Sequence, residues 1–334
     1  MTGTRRPARD GPRRFRERSF HAWLARSLPG GHRATLPIGD DGAALAVPAG
    51  TVAVVTVDSL VEGTHFVADS PPELVGRAAT SVSLSDLASK GARPAGILIA
   101  LVVPPSTAPR WAEAALRGAE AAAAEFGAHV IGGDTKAGPL RALGSTAIGW
   151  ARPGRLAPRT GARPGDLLLT TGTVGRGGAA YERWRRGPGP RRTRLAALLA
   201  VRPRVHEGAL LARYADAMLD TSDGIAESCR LMAAASRVRV ILDEARLPFD
   251  PGLPVRGRPR PRLRAAAFYG GDYELLAAVP RRLAARAERA VRRVGGRLTV
   301  VGRVEAGRSA VLRTADGDDV PMPRAGWDPF RHGR

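Results

Sequence analysis

Cysteine is almost absent, with Cys229 the only one in 334 residues. An intrachain disulfide and a cysteine-built zinc site are therefore excluded, and a reducing, cytoplasmic setting is expected. Lysine is nearly as scarce. Only Lys90 and Lys136 occur, so the net charge of +21 is carried by arginine. No run of eighteen apolar residues exists, which excludes a membrane-spanning helix. No apolar segment follows Arg5, Arg6 and Arg9, so no secretory signal is expected. Aromatic residues make up 5% of the chain, too few for a base-stacking surface, and no zinc-finger or RRM signature accompanies the arginines. Arginine with abundant Ala, Gly and Pro reads as a GC-rich coding bias, and no nucleic-acid partner is expected. The Walker loop and the Gly-x-Gly-x-x-Gly fingerprint are both missing, which removes those two nucleotide-binding solutions.

What the chain does contain is turn-rich. With 44% apolar residues, 40 Gly and 27 Pro, it reads as an α/β protein (α+β mixed) long enough for two domains. Residues 1–14 read as a disordered basic arm, 15–151 as a first domain and 152–334 as a second, divided at the turn-rich stretch from Arg152 to Gly165. Within the first, the patterns predict strands at 44–47, 52–57, 97–103 and 143–150, a short strand ending at Val130, and helices at 15–28, 71–91 and 108–126. Within the second they predict strands at 167–170, 217–219, 238–242, 274–279 and 298–304. Helices are predicted near 178–184, 225–235 and 281–294, with a Pro/Arg-rich insertion at 248–262.

The acids are the informative feature. Asp40-Asp41 follow Ile38-Gly39, Asp58 closes the apolar run TVAVVTV, Asp134 follows VIGG, and Asp220 and Asp223 flank Thr221-Ser222. Carboxylates behind strands are where α/β sheets build sites, and their hard oxygens suit Mg with substrate phosphates. Taken singly, each has an ordinary alternative: a helix N-cap for Asp223, a turn for Asp40-Asp41, a bend for Asp134. Asp86 lies on one helical stripe with Val75, Ala79 and Val82, so it faces a neighbour and needs a partner, either an arginine such as Arg77 or Arg93 or a metal. Glycines at Gly132-Gly133, Gly172 to Gly178 and Gly270-Gly271 permit close approach of backbone amides to phosphate. His65 stands alone, without a second His at zinc spacing.

The segments IGDDGAAL, TVDSLVEGTHF, SLSDLASKGARP, VIGGDT, DTSDGI, GGDYELL and GWDPF occur in this order between Ile38 and Phe330. Their order resembles that of thiamine-monophosphate kinases, of the aminoimidazole-ribonucleotide synthetase-like superfamily. The resemblance implies a two-domain fold whose N-terminal domain forms a homodimer interface. It also implies Mg-dependent transfer of the ATP γ-phosphoryl to thiamine monophosphate without a general base. It places Asp41, Thr56, Asp58, Asp86, Asp134, Asp220 and Asp223 on Mg, and Gly133, Asp134, Arg159 and Ser222 on ATP. His65 and Trp327 fall on the thiamine phosphate. Three positions depart from the family pattern. Val57 stands where a hydroxyl residue is usual, and Lys90 stands in Ser-Lys-Gly where Ala-Met-Gly is usual. The loop Gly270-Gly271-Asp272-Tyr273 is one acid short of Gly-Gly-Glu-Asp-Tyr; Asp272 is the candidate to replace that substrate-side Glu. Loss of that acid leaves a non-catalytic ATP- and thiamine-phosphate-binding paralogue as the alternative.

Overall fold

The computed structural model describes residues 17–28, 42–253 and 269–323, together with Phe15, Leu36, Ile38 and Ala266. Helix α1 (Glu17–Ser27) precedes a first unit of β1 (Val52–Val61), α2 (Pro72–Ser89), β2 (Arg93–Val103), α3 (Pro109–Ala124), β3 (Val130–Ala137) and β4 (Ala142–Ala151). Its four strands form one sheet in the order β1-β4-β2-β3. The β1/β4 and β2/β4 pairs are antiparallel, and β2/β3 is parallel with α3 as the crossover. Proline at the first turn starts α2, and Gly91, at φ +72°, ends it. Helices α2 and α3 meet at backbone distance: a Cβ on Gly76 would lie 1.7 Å from Ala115 O, and one on Gly118 would lie 1.9 Å from Glu73 O.

The second unit comprises β5 (Asp166–Thr171), α4 (Arg176–Arg186), α5 (Arg191–Leu198), α6 (Val205–Leu211), β6 (Ala217–Asp220), α7 (Ile225–Ser236), β7 (Arg239–Asp243), β8 (Leu275–Pro280), α8 (Arg281–Arg292), β9 (Leu298–Glu305), β10 (Ser309–Arg313) and β11 (Asp319–Pro321). These seven strands make a mixed sheet in the order β11-β10-β7-β9-β5-β8-β6. One core lies between this sheet and α7. The other is continuous through both units, joining Leu84, Leu87 and Ala88 of α2 to Leu211, Met218, Leu275 and Val291. Helix α2 is consequently buried on nearly every side. A Cβ on Gly208 of α6 would sit 2.2 Å from Ala88 O, so the two helices touch through their backbones where the units join.

Several expectations shift. Segment 44–47 contributes only a bridge residue at Leu45. Strand β1 continues past Asp58 to Val61 because β4 pairs with it along its full length. Strand β3 runs through Gly132-Gly133-Asp134, held there by parallel pairing to β2. Helices α5 and α6 and strands β10 and β11 were not foreseen. The arm at 1–14 and most of the insertion, 254–262, lie outside the described residues.

Candidate active site at the junction of the two units

Strand β1 is an edge strand with alternating faces. Thr56 and Asp58 point inward and are half-buried, whereas Val55 and Val57 on the other face are 61% and 65% exposed. Across from the inward face lies α2. The Thr56 hydroxyl donates to Asp86 Oδ2 at 2.5 Å, so the partner of this inward-facing acid is a threonine and not Arg77 or Arg93. Arg77 pairs with Glu125 instead. The neighbouring Ser85 donates to Asp220 Oδ2 at 2.7 Å, and Ser222 donates to Asp220 Oδ1 at 3.1 Å. Asp220 ends β6, so two adjacent residues of one helix engage acids or hydroxyls of both units. Helix α7 begins at an N-cap glycine, Gly224, with no capping side chain, so Asp223 is not its cap.

These carboxylates act on one another. Burial pushes Asp58 up to about 7, and Asp86, Asp220 and Asp223 add to the rise. Burial likewise raises Asp220 to about 6; Asp86 and Asp223 push further, while the Ser85 and Ser222 hydroxyls oppose them. Four acids from β1, α2, β6 and the following turn therefore share one low-dielectric region, a costly arrangement without countercharge. Among the described residues, no three acids, histidines or cysteines yet surround a single point at metal-binding distance. The acids are gathered but not drawn onto one ion.

A cation borders the group. Lys90, one turn beyond Asp86, donates to Met218 O at 3.1 Å. Burial and the exposed Arg159 lower its pKa, while Asp220 and Asp86 raise it. Asp134 is elsewhere. It is exposed, accepts from Lys136 Nζ at 2.7 Å and from its neighbour's amide, and is not among the acids acting on Asp58. The adjacent Gly133 is required by packing, since a Cβ there would lie 1.9 Å from Ile99 O. His65, in the turn after β1, accepts the Val61 amide on Nδ1 at 3.0 Å, and burial lowers its pKa. It is thus neutral at pH 7 with its proton on Nε2. Asp41 and Trp327 lie outside the described residues.

The loop before β8 corrects one expectation. Asp272 does not stand in for the missing substrate-side acid: it is 2% exposed, and its carboxylate accepts the amides of Gly175 at 2.7 Å and Gly177 at 2.9 Å. Its role is to lock the glycine loop ahead of α4. Beside it, Glu274 is buried, accepts from Arg204 Nε at 2.7 Å and Nη2 at 2.5 Å, and accepts from the Thr171 hydroxyl at 2.6 Å. Between them Tyr273 adopts φ +55°. Burial raises its phenol pKa most, and Asp220, Asp58 and Asp223 raise it further, placing the ring beside the acids. Neither Tyr273 nor Ser85 was singled out from the sequence. The only signal for Tyr273 was an aromatic residue set between a double glycine and a strand. A cleft of about 510 Å³ lined by Asp69, Trp111 and Arg191 contains none of these residues.

Residues 39–151 match the AIR synthase related protein N-terminal domain, and residues 163–314 match the corresponding C-terminal domain. The thiamine-monophosphate kinase of Synechococcus elongatus is 33% identical over 305 residues, spanning 87% of this chain and 91% of that protein. The Escherichia coli K12 enzyme of the same name is 32% identical, spanning 88% and 92%. Among solved structures, the thiamine-monophosphate kinase of Stenotrophomonas maltophilia superposes with a TM-score of 0.78 at 31% identity, covering 91% of this chain and 96% of that one. A structure described as AaThiL complexed with AMPPCP and TMP superposes with a TM-score of 0.72 at 26% identity, covering 84% and 88%. No helix among the described residues is long and apolar enough to cross a membrane. The chain belongs to the thiamine-monophosphate kinase family, ATP-dependent phosphotransferases built from the two AIR synthase related domains.

Proposed function

We propose that this protein moves the γ-phosphoryl of ATP onto thiamine monophosphate, giving thiamine diphosphate and ADP, with Mg held by the acids at the junction. The observation that carries this reading is the gathering of Asp58, Asp86, Asp220 and Asp223 from both units around α2, with Asp58 and Asp220 pushed toward protonation. All donors there are oxygen, and the repulsion calls for divalent cations, so the residues fit Mg. Asp58, Asp86, Asp220 and Asp223 would hold it, joined by the Thr56 hydroxyl. Asp41 and Asp134 complete the set that the family resemblance assigns. Mg would neutralise the phosphates and clamp the in-line displacement.

The remaining chemistry is positioning. The acceptor is an already ionised phosphate, so no side chain needs to remove a proton. Neutral His65, its Nδ1 occupied by the Val61 amide, fits a donor to substrate better than a base. Together with Trp327 it would contact the thiamine phosphate. Gly133, Arg159 and Ser222 would contact ATP. Domain limits of 15–151 and 152–334 and a cytoplasmic setting belong to the same reading. So does a homodimer through the outer face of the first sheet. There Val55 and Val57 are exposed, and the half-buried Leu98, Val102, Ile148 and Trp150 extend the apolar surface. A sedimenting species of monomer mass at micromolar concentration would contradict that interface.

Purified protein incubated with ATP, Mg and thiamine monophosphate is expected to form thiamine diphosphate and ADP in equal amounts. Because Asp272 is turned inward, the substrate-side acid has no substitute in this loop. ATP binding without turnover would therefore favour the non-catalytic paralogue.

A further inference from the structure

Lys90 caps the C-terminus of α2, at the position where the family pattern carries methionine, and its surroundings give the change a physical consequence. It lies four residues after Asp86, so both side chains share one helix face. Its ammonium reaches out of the first unit and donates to Met218 O at 3.1 Å, two residues ahead of Asp220. A longer contact of 3.5 Å runs to Ala157 O in the linker. That linker is itself pinned between the two. The Ala157 amide donates to Lys90 O at 3.4 Å, and the Met218 amide donates to Pro158 O at 2.8 Å. The charged groups facing Lys90 are Asp86 on its own helix, Asp220 at the end of β6, and Arg159 in the linker. A fixed positive charge is thereby built into the wall of the acidic group, from a side chain spanning both units.

We infer that Lys90 is a positioning residue of this site, a tethered cation that holds the Asp86 and Asp220 carboxylates together across the junction and competes with divalent ions for their charge. The inference rests on the proposed Mg reading of that group. Two effects follow from Coulomb's law in a partly buried site. Without Mg, Lys90 offsets the repulsion among the acids. With Mg, it repels the incoming ion, so the protein needs a higher Mg concentration than the same site without the lysine would. If Lys90 served only as a staple between backbone carbonyls, removing its charge would alter stability and leave the Mg requirement where it was.

The test uses full-length, nucleotide-free protein at pH 8 and constant ionic strength, following thermal unfolding as MgCl2 is titrated. Lys90→Gln retains a donor for Met218 O but removes the charge; Lys90→Arg retains the charge. Lys90→Gln is expected to unfold at a lower temperature without Mg and to reach half of its Mg stabilisation at a concentration about fivefold lower than the wild type. Lys90→Arg is expected to keep the wild-type midpoint within about twofold. If Lys90→Gln fails to fold, Lys90→Met, the residue usual in the family, takes its place. A charge-free variant whose midpoint equals or exceeds that of the wild type overturns the inference while leaving the Mg reading intact. A wild type that gains no stability from Mg overturns both.

Discussion

Asp58→Asn is expected to lower turnover of ATP and thiamine monophosphate by about a thousandfold or more while leaving the protein folded. Asp58 faces inward from an edge strand, where burial, with three neighbouring acids adding to it, raises its pKa to about 7. On the proposed reading, its charge would be tolerated for what it binds and not for what it contributes to folding. Asparagine keeps the shape and one carbonyl oxygen but removes the charge that would hold a cation against the transferring phosphate. Asp223→Asn is expected to act in the same way. Single-turnover rates in saturating Mg and ATP, with circular dichroism as the control for folding, measure the effect. Wild-type rates in both variants would sink the aspartate-group model.

The largest loss of stability is expected at Glu274. This carboxylate is buried and accepts two bonds from Arg204 and one from the Thr171 hydroxyl. Its own amide, just ahead of β8, donates to the Thr221 hydroxyl at 3.1 Å. Glu274→Ala strands a half-buried guanidinium and takes the acceptor from the Thr171 hydroxyl. Breaking one side of such a pair costs about 3–5 kcal/mol, enough to lower Tm by roughly 4–7 °C in a protein of this size. The double change Arg204→Met with Glu274→Leu recovers most of that loss, because it removes both desolvated charges at once. A single variant that loses less than about 1 kcal/mol in denaturant unfolding contradicts the assignment.

Because Glu274 adjoins Tyr273 and Asp272, the same network orders the loop beside the acids. Gly271 N donates to Ser222 O at 2.7 Å, Arg176 donates to Gly271 O at 2.7 Å, and Thr221 N donates to Glu274 O at 2.8 Å. The positive φ of Tyr273 is thus fixed from both sides, and the strain lies at the junction, where function tolerates it.

Much of this was legible from the residues. The inward stripe of Asp86 followed from helical spacing, and Asp220 and Asp223 do lie where a strand gives way to a helix. Other features depend on partners that local pattern does not reveal. Asp58 and Asp134 were expected at strand ends, but strands stop where their neighbours stop pairing, and β4 and β2 carry β1 and β3 onward through both acids. Asp134 consequently faces solvent and Lys136 rather than the other carboxylates. Asp272 was read as substrate-facing because it adjoins the position of the family's missing substrate-side Glu. Its two backbone donors come from a segment nearly a hundred residues earlier in the chain, which no local spacing encodes.

Linkage tests directly whether the acids at the junction of the two units form a divalent-cation site. The folded-state pKa of Asp58, about 7 against an ordinary 3.8, means that the native protein holds the extra proton between those values. Stability from this group therefore falls as pH rises from about 4 to 7 and stays low above it. Mg prefers the ionised group and should restore what ionisation removes. Thermal unfolding of wild type and Asp58→Asn at pH 5.5 and pH 8, each with and without Mg, separates the contributions. Without Mg, Asp58→Asn should be the more stable protein at pH 8 and close to wild type at pH 5.5. Mg should raise the wild-type Tm by several degrees at pH 8, by less at pH 5.5, and should raise the variant's least. A wild type indifferent to Mg at pH 8, or a variant that gains as much as the wild type, would contradict the cation site.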